Sequence, residues 1–316
     1  MRTPGDYALL MDPGVSLSSR EECFEAIVDV GVALIEGEGK RSVPDNQRYL
    51  AERLSYRECV DEKEASSSKC VEFPDELLLD GDGEAVMAEW EKPLMEAHAK
   101  VMCEDDASAP ELSVLNVGFG LGIIDRMLQE RRPSHHSIIE AHEDVLARME
   151  SEGWGERSGV MVHKGRWQDV WSQIGDLSFD GVMFDTYAED YLATMDFIEE
   201  ICKRGLLSTG GLLTFFNGMG SYDLTSYIVM AHVMARHIAK RTHFTVRYEW
   251  RRFPFRTGEE DVGQRARQWA LDGYLLPVVY RPAVGAVDNV PGERGVPGCA
   301  ELVATVGRPG AKRPPK

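Results

Sequence analysis

The sequence is short of several features that would each indicate a class of protein. Its six cysteines form no C-x-x-C pair, which argues against a zinc or redox site, so we expect no bound metal and reduced thiols. The N-terminus has no cationic stretch followed by an apolar core, and no apolar run approaches the roughly 18 residues that span a bilayer. We therefore expect no membrane partner and a location in the cytoplasm, with the nucleus as a second compartment.

Positive charge is also scarce. The chain of 316 residues has 35 Lys and Arg against 53 Asp and Glu, a formal net charge of −18. A protein that binds nucleic acid directly normally carries a basic stripe, so we expect no direct nucleic-acid partner. An acidic surface instead attracts cations, including the cationic side chains of a partner protein.

The composition changes along the chain and predicts three parts. Residues 1–83 form an N-terminal extension, with a helix at Glu21–Glu36 and a loop rich in charge and serine near 57–84. Residues 84–281 form the folded domain. Residues 282–316 are rich in Gly, Pro and basic residues, so this tail is expected to be disordered apart from a short CAELVATV segment.

Within the domain, short apolar runs alternate with helix-like segments. Such alternation predicts βαβ units and a doubly wound α/β fold with a mostly parallel sheet, preceded by the helical extension. The strand-like runs are Ser113–Val117, Ser137–Ala141, Val160–His163, Gly181–Phe184 and Gly211–Phe216. The helix-like segments are Gly122–Glu130, Glu143–Ser151, Trp167–Ile174, Tyr191–Lys203 and Ser221–Lys240. Two later runs, Phe244–Trp250 and Tyr274–Tyr280, are expected to complete seven strands as a hairpin.

A glycine-rich loop follows the first strand of this alternation. In an open α/β sheet the ligand binds beyond the carboxyl ends of the strands, and glycines let the backbone turn there and approach it. The next strand ends at Glu140, about twenty residues on, where an acidic side chain binds ribose hydroxyls. A nicotinamide enzyme shares both features, but its G-x-G-x-x-G pattern needs a glycine at Ile123. The observed G-x-G-x-G favours the nucleoside cofactor of a methyltransferase over a dinucleotide.

Two carboxylates are candidates for a role in binding a second substrate. Asp185 follows the fourth strand at the mouth of the crevice, although a carboxylate there can also cap a helix or form a turn. Glu91 precedes Pro93 at a helix entrance, where the helix dipole favours its charge. A purely structural role for Glu91 is equally compatible with the sequence.

At these motifs the sequence resembles guanidinoacetate methyltransferase and, more closely, the fungal-type protein arginine δ-N-methyltransferases (type IV). The matching segments, which cover about residues 84–220, are WEKPLM, VLNVGFGLGIID, IIEAHEDVL, KGRWQDV, FDTYAEDY and GGLLTFFNGMG. The fungal family usually carries ankyrin-type repeats ahead of the catalytic domain, and none is recognisable in this sequence.

The resemblance implies a class I methyltransferase fold, S-adenosyl-L-methionine as cofactor, and a role for particular residues. The implied cofactor-binding residues are Met95, Gly118, Phe119, Gly120, Leu121, Gly122, Ile123, Glu140, Ala141, His142, Gly165, Arg166 and Asp185. The implied substrate-binding residues are Glu91, Asp185, Gly218 and Met219. The implied substrate is an arginine-bearing protein, a ribosomal protein in this family.

The resulting hypothesis is a guanidino N-methyltransferase in which Asp185 orients the substrate and accepts its proton while Glu91 holds the opposite edge. A small-guanidine methyltransferase of the guanidinoacetate type is the first alternative. A degenerate fold kept as a binding protein is a second, and a dehydrogenase is a third.

Overall fold

The central feature of the fold is a seven-stranded sheet that is covered by helices on both faces. A computed structural model describes residues 17–37, 46–57, 76–103, 111–218, 224–252 and 273–282. The strands are β1 (Ser55–Arg57), β2 (Leu77–Leu79), β3 (Ala85–Ala88), β4 (Ser113–Val117), β5 (His135–Glu140), β6 (Val160–Lys164), β7 (Phe179–Phe184), β8 (Leu207–Phe215), β9 (Thr245–Arg252) and β10 (Gly273–Tyr280). The helices are α1 (Leu17–Gly37), α2 (Gln47–Ala51), α3 (Lys92–Cys103), α4 (Ile123–Glu130), α5 (Glu143–Ser151), α6 (Trp171–Ile174), α7 (Tyr191–Arg204) and α8 (Leu224–Arg241).

The strand order of the large sheet is β6-β5-β4-β7-β8-β10-β9. The first five strands in this order are parallel, and β10 pairs antiparallel with both β8 and β9. The chain leaves β4 toward β5 on one side and returns to β7 on the other, so the topological switch point lies between β4 and β7. The predicted doubly wound sheet with a closing antiparallel pair is therefore confirmed.

Element boundaries follow the sequence prediction closely where local signals are strong. Strand β4 and helix α5 have the predicted bounds, and α5 begins after His142, whose ring accepts a hydrogen bond from the Asp144 amide. Helix α6 is shorter than predicted because Trp167 packs among aromatic rings, 6.0 Å from the Phe184 ring and 5.5 Å from the Phe197 ring. The helix therefore begins at Trp171, and the predicted first turn from Trp167 is not helical.

The segment predicted as a charged loop before the domain is partly a small antiparallel sheet. Strands β1, β2 and β3 form it in that order, and all three leucines of β2 are buried. The predicted boundary between residues 83 and 84 falls in the turn between β2 and β3, where Asp80 accepts hydrogen bonds from two backbone amides. The acidic turn obscured the apolar LLL and AVMA segments around it. Residues 58–75 of the predicted loop lie outside the described residues.

The predicted N-terminal helix is present as α1 and packs against α8. Phe24 and Val28 are buried, and Gly31 permits close approach because a Cβ there would lie 2.7 Å from Val233 Cγ2. Arg236 of α8 pairs with Asp29 at 2.8 Å. In the part of the chain that the structure describes, no helix has the length and apolar character needed to cross a bilayer. The predicted tail beyond residue 282 lies outside the described residues.

Candidate active site

A cavity of 630 Å³ opens at the carboxyl ends of the parallel strands, on both sides of the switch point. This is the place where ligands bind in open α/β sheets, and the volume is within the range of small-molecule sites. Ten residues implied by the resemblance line it: Glu91, Gly118, Phe119, Gly120, Glu140, Ala141, Gly165, Arg166, Asp185 and Gly218. The tertiary structure thus brings together residues from a stretch of more than one hundred positions.

The glycine-rich loop is required by close backbone packing. Gly118 has a φ of +92°, and a Cβ there would lie 1.8 Å from the carbonyl oxygen of Asp185. Gly120 has a φ of +55°, and a Cβ there would lie 2.7 Å from the sulfur of Met87. Only glycine satisfies both the positive φ and the lack of space. The loop therefore presents bare backbone to the cavity.

Glu140 lies beneath this loop with its carboxylate held by the backbone. One oxygen accepts a hydrogen bond from the Phe119 amide at 2.8 Å, and the other accepts from the amides of Ala141 and His142 at 2.7 Å each. Burial raises the pKa of Glu140 and the three amides oppose that shift. The carboxylate is therefore held in one orientation at the edge of the cavity.

Glu91 and Asp185 both line the cavity and interact electrostatically. Glu91 ends a short 3₁₀ turn before α3 and is 7% exposed, with one carboxylate oxygen accepting from the Ala88 amide at 3.0 Å. Burial, and then the charge of Asp185, raise the pKa of Glu91 to about 8. Burial raises the pKa of Asp185 to about 7. The two carboxylates therefore form a pair that is poorly stabilised in the fully charged state.

The capping alternative for Asp185 is resolved by the helix that follows. The N-cap of α7 is Asp190, whose carboxylate accepts from the amides of Leu192 and Ala193 at 3.0 and 3.1 Å. Asp185 instead continues the pairing of β7 with β4, since its amide donates to the Val117 carbonyl at 2.9 Å. Its side chain is free of a capping task.

A network centred on Glu189 was missed by the sequence reasoning. The Glu189 carboxylate accepts from the Trp167 indole at 3.0 Å, the Gln168 amide at 2.8 Å and the Thr186 hydroxyl at 2.7 Å. All four residues line the cavity. Among the residues that the structure describes, the Gln168 carbonyl oxygen is buried without a hydrogen-bond partner. The KGRWQDV segment was the available signal, since Trp167 and Gln168 follow Arg166 directly.

A second missed group closes the cavity from the N-terminal side. Tyr49 of α2 lines the cavity, with its ring 4.9 Å from the rings of both His142 and Tyr187. The Tyr187 hydroxyl donates to Asp80 at 3.0 Å in the β2–β3 turn. His142 Nδ1 accepts from an amide, so Nε2 carries the proton and donates to the Tyr49 carbonyl at 3.1 Å. No local sequence signal marks Tyr49.

Five of the implied cofactor residues do not line the cavity. Met95, on the buried face of α3, is 0% exposed and packs in a hydrophobic cluster. His142 acts instead as the cap and link described above. The other three are Leu121, Gly122 and Ile123, at the start of α4. Met219, implied for the acceptor pocket, lies outside the described residues. Within the described ranges, no group of three or more His, Cys, Asp or Glu side chains is arranged to hold a metal.

The fold and the site define a class of protein. Numbered within the large sheet, the strands run 3-2-1-4-5-7-6 with the seventh antiparallel, which is the class I methyltransferase fold. A family model described as guanidinoacetate N-methyltransferase matches residues 56–237. The chain belongs to that family.

Curated relatives carry a related name. "Protein arginine N-methyltransferase 2" of Aspergillus oryzae is 39% identical over 208 residues, which are 65% of this chain and 49% of that protein. The protein of the same name from Emericella nidulans is 34% identical over 86% of this chain and 59% of its own length. The protein of the same name from Cryptococcus neoformans is 34% identical over 82% of this chain and 75% of its own length. The chain spans about half the length of the first two relatives.

Solved structures show a more distant likeness. The N-methyltransferase NodS from Bradyrhizobium japonicum is 14% identical with a TM-score of 0.42, over 61% of this chain and 97% of that one. Spermidine synthase from Thermotoga maritima is 12% identical with a TM-score of 0.45, over 67% of each chain.

Proposed function

We propose that the chain is an S-adenosylmethionine-dependent N-methyltransferase that acts on a guanidino group, namely the δ nitrogen of arginine in a protein. One observation carries the proposal. The buried Glu91 and the partly buried Asp185, two carboxylates with raised pKa values, share a cavity with the bare glycine loop and with Glu140.

The residues of the cavity fit the proposed cofactor. The backbone at Gly118 and Gly120 admits no side chain, which suits close contact with the methionine part. Glu140, the acidic residue that ends β5, suits the ribose hydroxyls. When bound, the cofactor supplies an activated methyl group on a cationic sulfur.

The carboxylate pair meets the electrostatic requirement of methylating a guanidinium. The guanidinium is cationic at neutral pH, and it must approach a second cation. Two like charges 4 Å apart repel by about 4 kcal/mol at an effective dielectric constant of 20. Glu91 and Asp185 offset that repulsion. Their oxygens also match the planar fork of N–H donors, so they orient the nitrogen that is to be methylated.

The same pair can remove the proton that the guanidinium loses. With pKa values near 7 and 8 in the free protein, Asp185 and Glu91 titrate close to the pH at which an enzyme works. A general base is most effective when its pKa is near the operating pH. Asp185 has the base role in our proposal because it follows β7 at the mouth of the cavity, and Glu91 holds the opposite edge.

The choice of acceptor rests on the relatives. Those with the best coverage are named protein arginine N-methyltransferases, which supports a protein acceptor, and the net charge of −18 suits a basic one. A basic ribosomal protein of the cytoplasm or nucleus is the acceptor that the family resemblance suggests. The name of the family model favours the second candidate, methylation of a small guanidine such as guanidinoacetate.

Methyl transfer from isotope-labelled cofactor tests the proposal and separates its two forms. The purified chain is incubated separately with guanidinoacetate and with a ribosomal protein fraction. The leading form is supported if the label enters protein, and if hydrolysis of that protein releases an amino acid that fragment mass spectrometry identifies as δ-N-monomethylarginine. Label in creatine supports the second, and label on other arginine nitrogens would contradict the δ assignment.

A matched pair of variants ties the activity to the site. Asp185→Asn should abolish labelling. Asp180→Asn changes the same residue type at the opposite end of β7, where Asp180 accepts from the Ser113 amide and the Ser208 hydroxyl, and should leave labelling intact. Equal activity in both variants would show that the carboxylate pair is not the reacting site.

A further inference from the structure

A buried chain of hydrogen bonds runs from helix α3 to the acceptor side of the cavity. His98 of α3 is 0% exposed. Its Nδ1 lies 2.7 Å from the Thr214 hydroxyl of β8, and its Nε2 lies 2.9 Å from the Tyr274 hydroxyl of β10. His98 does not line the cavity described above.

The proton positions along this chain follow from its two ends. The Thr214 hydroxyl donates to the Pro277 carbonyl at 2.7 Å, so Thr214 must accept from His98 Nδ1–H. His98 Nε2 is then unprotonated and accepts the proton of Tyr274. The Tyr274 oxygen in turn accepts from the Asn217 amide at 2.8 Å. Burial lowers the pKa of His98 to about 3, in keeping with a neutral ring whose tautomer is fixed.

The far end of the chain holds the turn that follows β8. Besides the bond to Tyr274, the Asn217 carbonyl accepts from the Tyr227 hydroxyl at 3.3 Å, and its side-chain amide donates to the Leu275 carbonyl at 3.1 Å. Gly218 follows directly and lines the cavity with Asp185. The position of this edge of the cavity is thus set by contacts to β10 and α8.

The carboxylate pair also acts electrostatically on Tyr274. Burial raises the pKa of Tyr274, and the charges of Tyr227, Asp185 and Glu91 act in the same direction, which shows that those carboxylates are within electrostatic range. If His98 offered no acceptor, the Tyr274 hydroxyl would have to reorient or stay unpaired, and either change disturbs the bond to Asn217.

We infer that His98 is a positioning residue for the acceptor. Through the Tyr274 hydroxyl it fixes the Asn217–Gly218 turn, and so sets the affinity for the guanidino substrate without touching it. The inference rests on the proposed function, because it concerns the acceptor side of that same cavity.

A double-mutant cycle tests the inference through steady-state kinetics. In His98→Leu and in Tyr274→Phe, the KM for the acceptor should rise about tenfold, as expected for one lost buried hydrogen bond. The kcat should change much less, and the dissociation constant for S-adenosylhomocysteine should be unchanged. The double variant should be no worse than Tyr274→Phe alone, because His98 acts only through that hydroxyl. Additive effects on KM would overturn the inference.

Two further variants separate positioning from general damage to the core. His98→Gln retains an oxygen that can accept from Tyr274 and should recover most of the acceptor affinity. Tyr248→Phe is a matched control, because Tyr248 on β9 is fully buried opposite Pro277 and, within the described residues, its hydroxyl has no hydrogen-bond partner. It should leave KM unchanged. A rise in KM with Tyr248→Phe, or an equal loss of cofactor affinity in all variants, would show a structural effect only.

Nitrogen NMR of the wild-type imidazoles reads the chain independently of activity. His98 should show a protonated Nδ1 and an unprotonated Nε2 at neutral pH, and Tyr274→Phe should shift the Nε2 resonance. A protonated Nε2 would overturn the inference even if the enzyme is active. Absence of guanidino methylation by the wild-type chain would contradict the proposed function, whereas methylation with an unchanged KM in His98→Leu would contradict only the role of His98.

Discussion

The sharpest test of the site is Asp185→Asn, because it should change activity and stability in opposite directions. The substitution keeps the shape of the side chain and removes one of the two charges in the cavity. Turnover should fall by about 10²–10⁴, the usual effect of losing a general base. Acceptor binding should weaken as well, because the remaining carboxylate offsets less of the repulsion between the two cations. Affinity for S-adenosylhomocysteine should change little.

The stability of the free protein should move the other way. Folding raises the pKa of Asp185 from 3.8 to about 7 and that of Glu91 from 4.5 to about 8, so the native state holds protons that the unfolded state has released. A carboxyl group with a raised pKa stabilises the protein below its unfolded value and loses that stabilisation as pH rises through its folded value. The wild-type protein should therefore become less stable between pH 4 and pH 8.

The size of the effect follows from the shifts. One pKa unit corresponds to about 1.4 kcal/mol, and Asp185 alone shifts by about three units, which sets an upper bound of about 4 kcal/mol at pH 8. Because Asp185 and Glu91 titrate as a coupled pair, this stability contribution is shared between the two groups. Asp185→Asn should remove the Asp185 share, lower the pKa of Glu91, and raise the free energy of unfolding at pH 8 by about 2 kcal/mol.

Thermal unfolding of both proteins at pH 5 and pH 8, without ligands, measures this difference. The variant should melt several degrees above the wild type at pH 8 and by a clearly smaller margin at pH 5. Asp180→Asn should show no such pH-dependent gain, since each carboxylate oxygen of Asp180 accepts a hydrogen bond, one from the Ser113 amide and one from the Ser208 hydroxyl. A folded Asp185→Asn protein with wild-type turnover, or one destabilised equally at both pH values, would refute the reasoning about the carboxylate pair.

Four further predictions concern the cofactor side of the cavity and the C-terminal tail. Gly120→Val should abolish binding of S-adenosylhomocysteine in calorimetry, because its side chain would collide with Met87 and force a strained positive φ; normal binding by the folded variant would show that the loop is structural. Glu140→Gln should weaken that binding by about tenfold or more, since a charged acceptor is lost. Unchanged affinity in this variant would show that Glu140 does not bind the ribose. A chelator should leave the binding of S-adenosylhomocysteine by the wild type unchanged, and a large loss of affinity would contradict the expectation of a metal-free site. Ending the chain after Arg281 should leave the melting temperature unchanged, as the composition of the tail predicts. A large drop in the melting temperature would contradict that prediction.

The sequence by itself determined those parts of the protein whose signals are local. A buried strand followed by glycines indicates a ligand loop wherever it occurs, and β4, the loop at Gly118–Gly122 and Glu140 lie as predicted. Asp185 was identified for the same reason, because parallel strands bring their carboxyl ends to one edge. The sequence spacing alone did not pair Glu91 with Asp185. The family resemblance implied that the two residues bind the same substrate.

Only the tertiary structure decided which of these residues share a cavity and which others join them. Tyr49, on a helix far from the glycine loop in sequence, lines the cavity because His142 and Tyr187 pack against it. Met95, implied as a cofactor contact, is buried and does not line the cavity, so its role stays a prediction. The β2–β3 hairpin was hidden by its acidic turn, since strand pairing depends on a partner that local composition does not reveal.

The network around Glu189 and the chain from His98 to Asn217 show the same limit. Each joins residues from different elements of the fold, and each depends on donors and acceptors meeting within about 3 Å. Side-chain hydrogen bonds of this kind form only after the sheet and helices have brought their elements into register. Residue types and spacings indicated where the chemistry lies, whereas packing between elements determined the protonation and orientation of the groups that surround it.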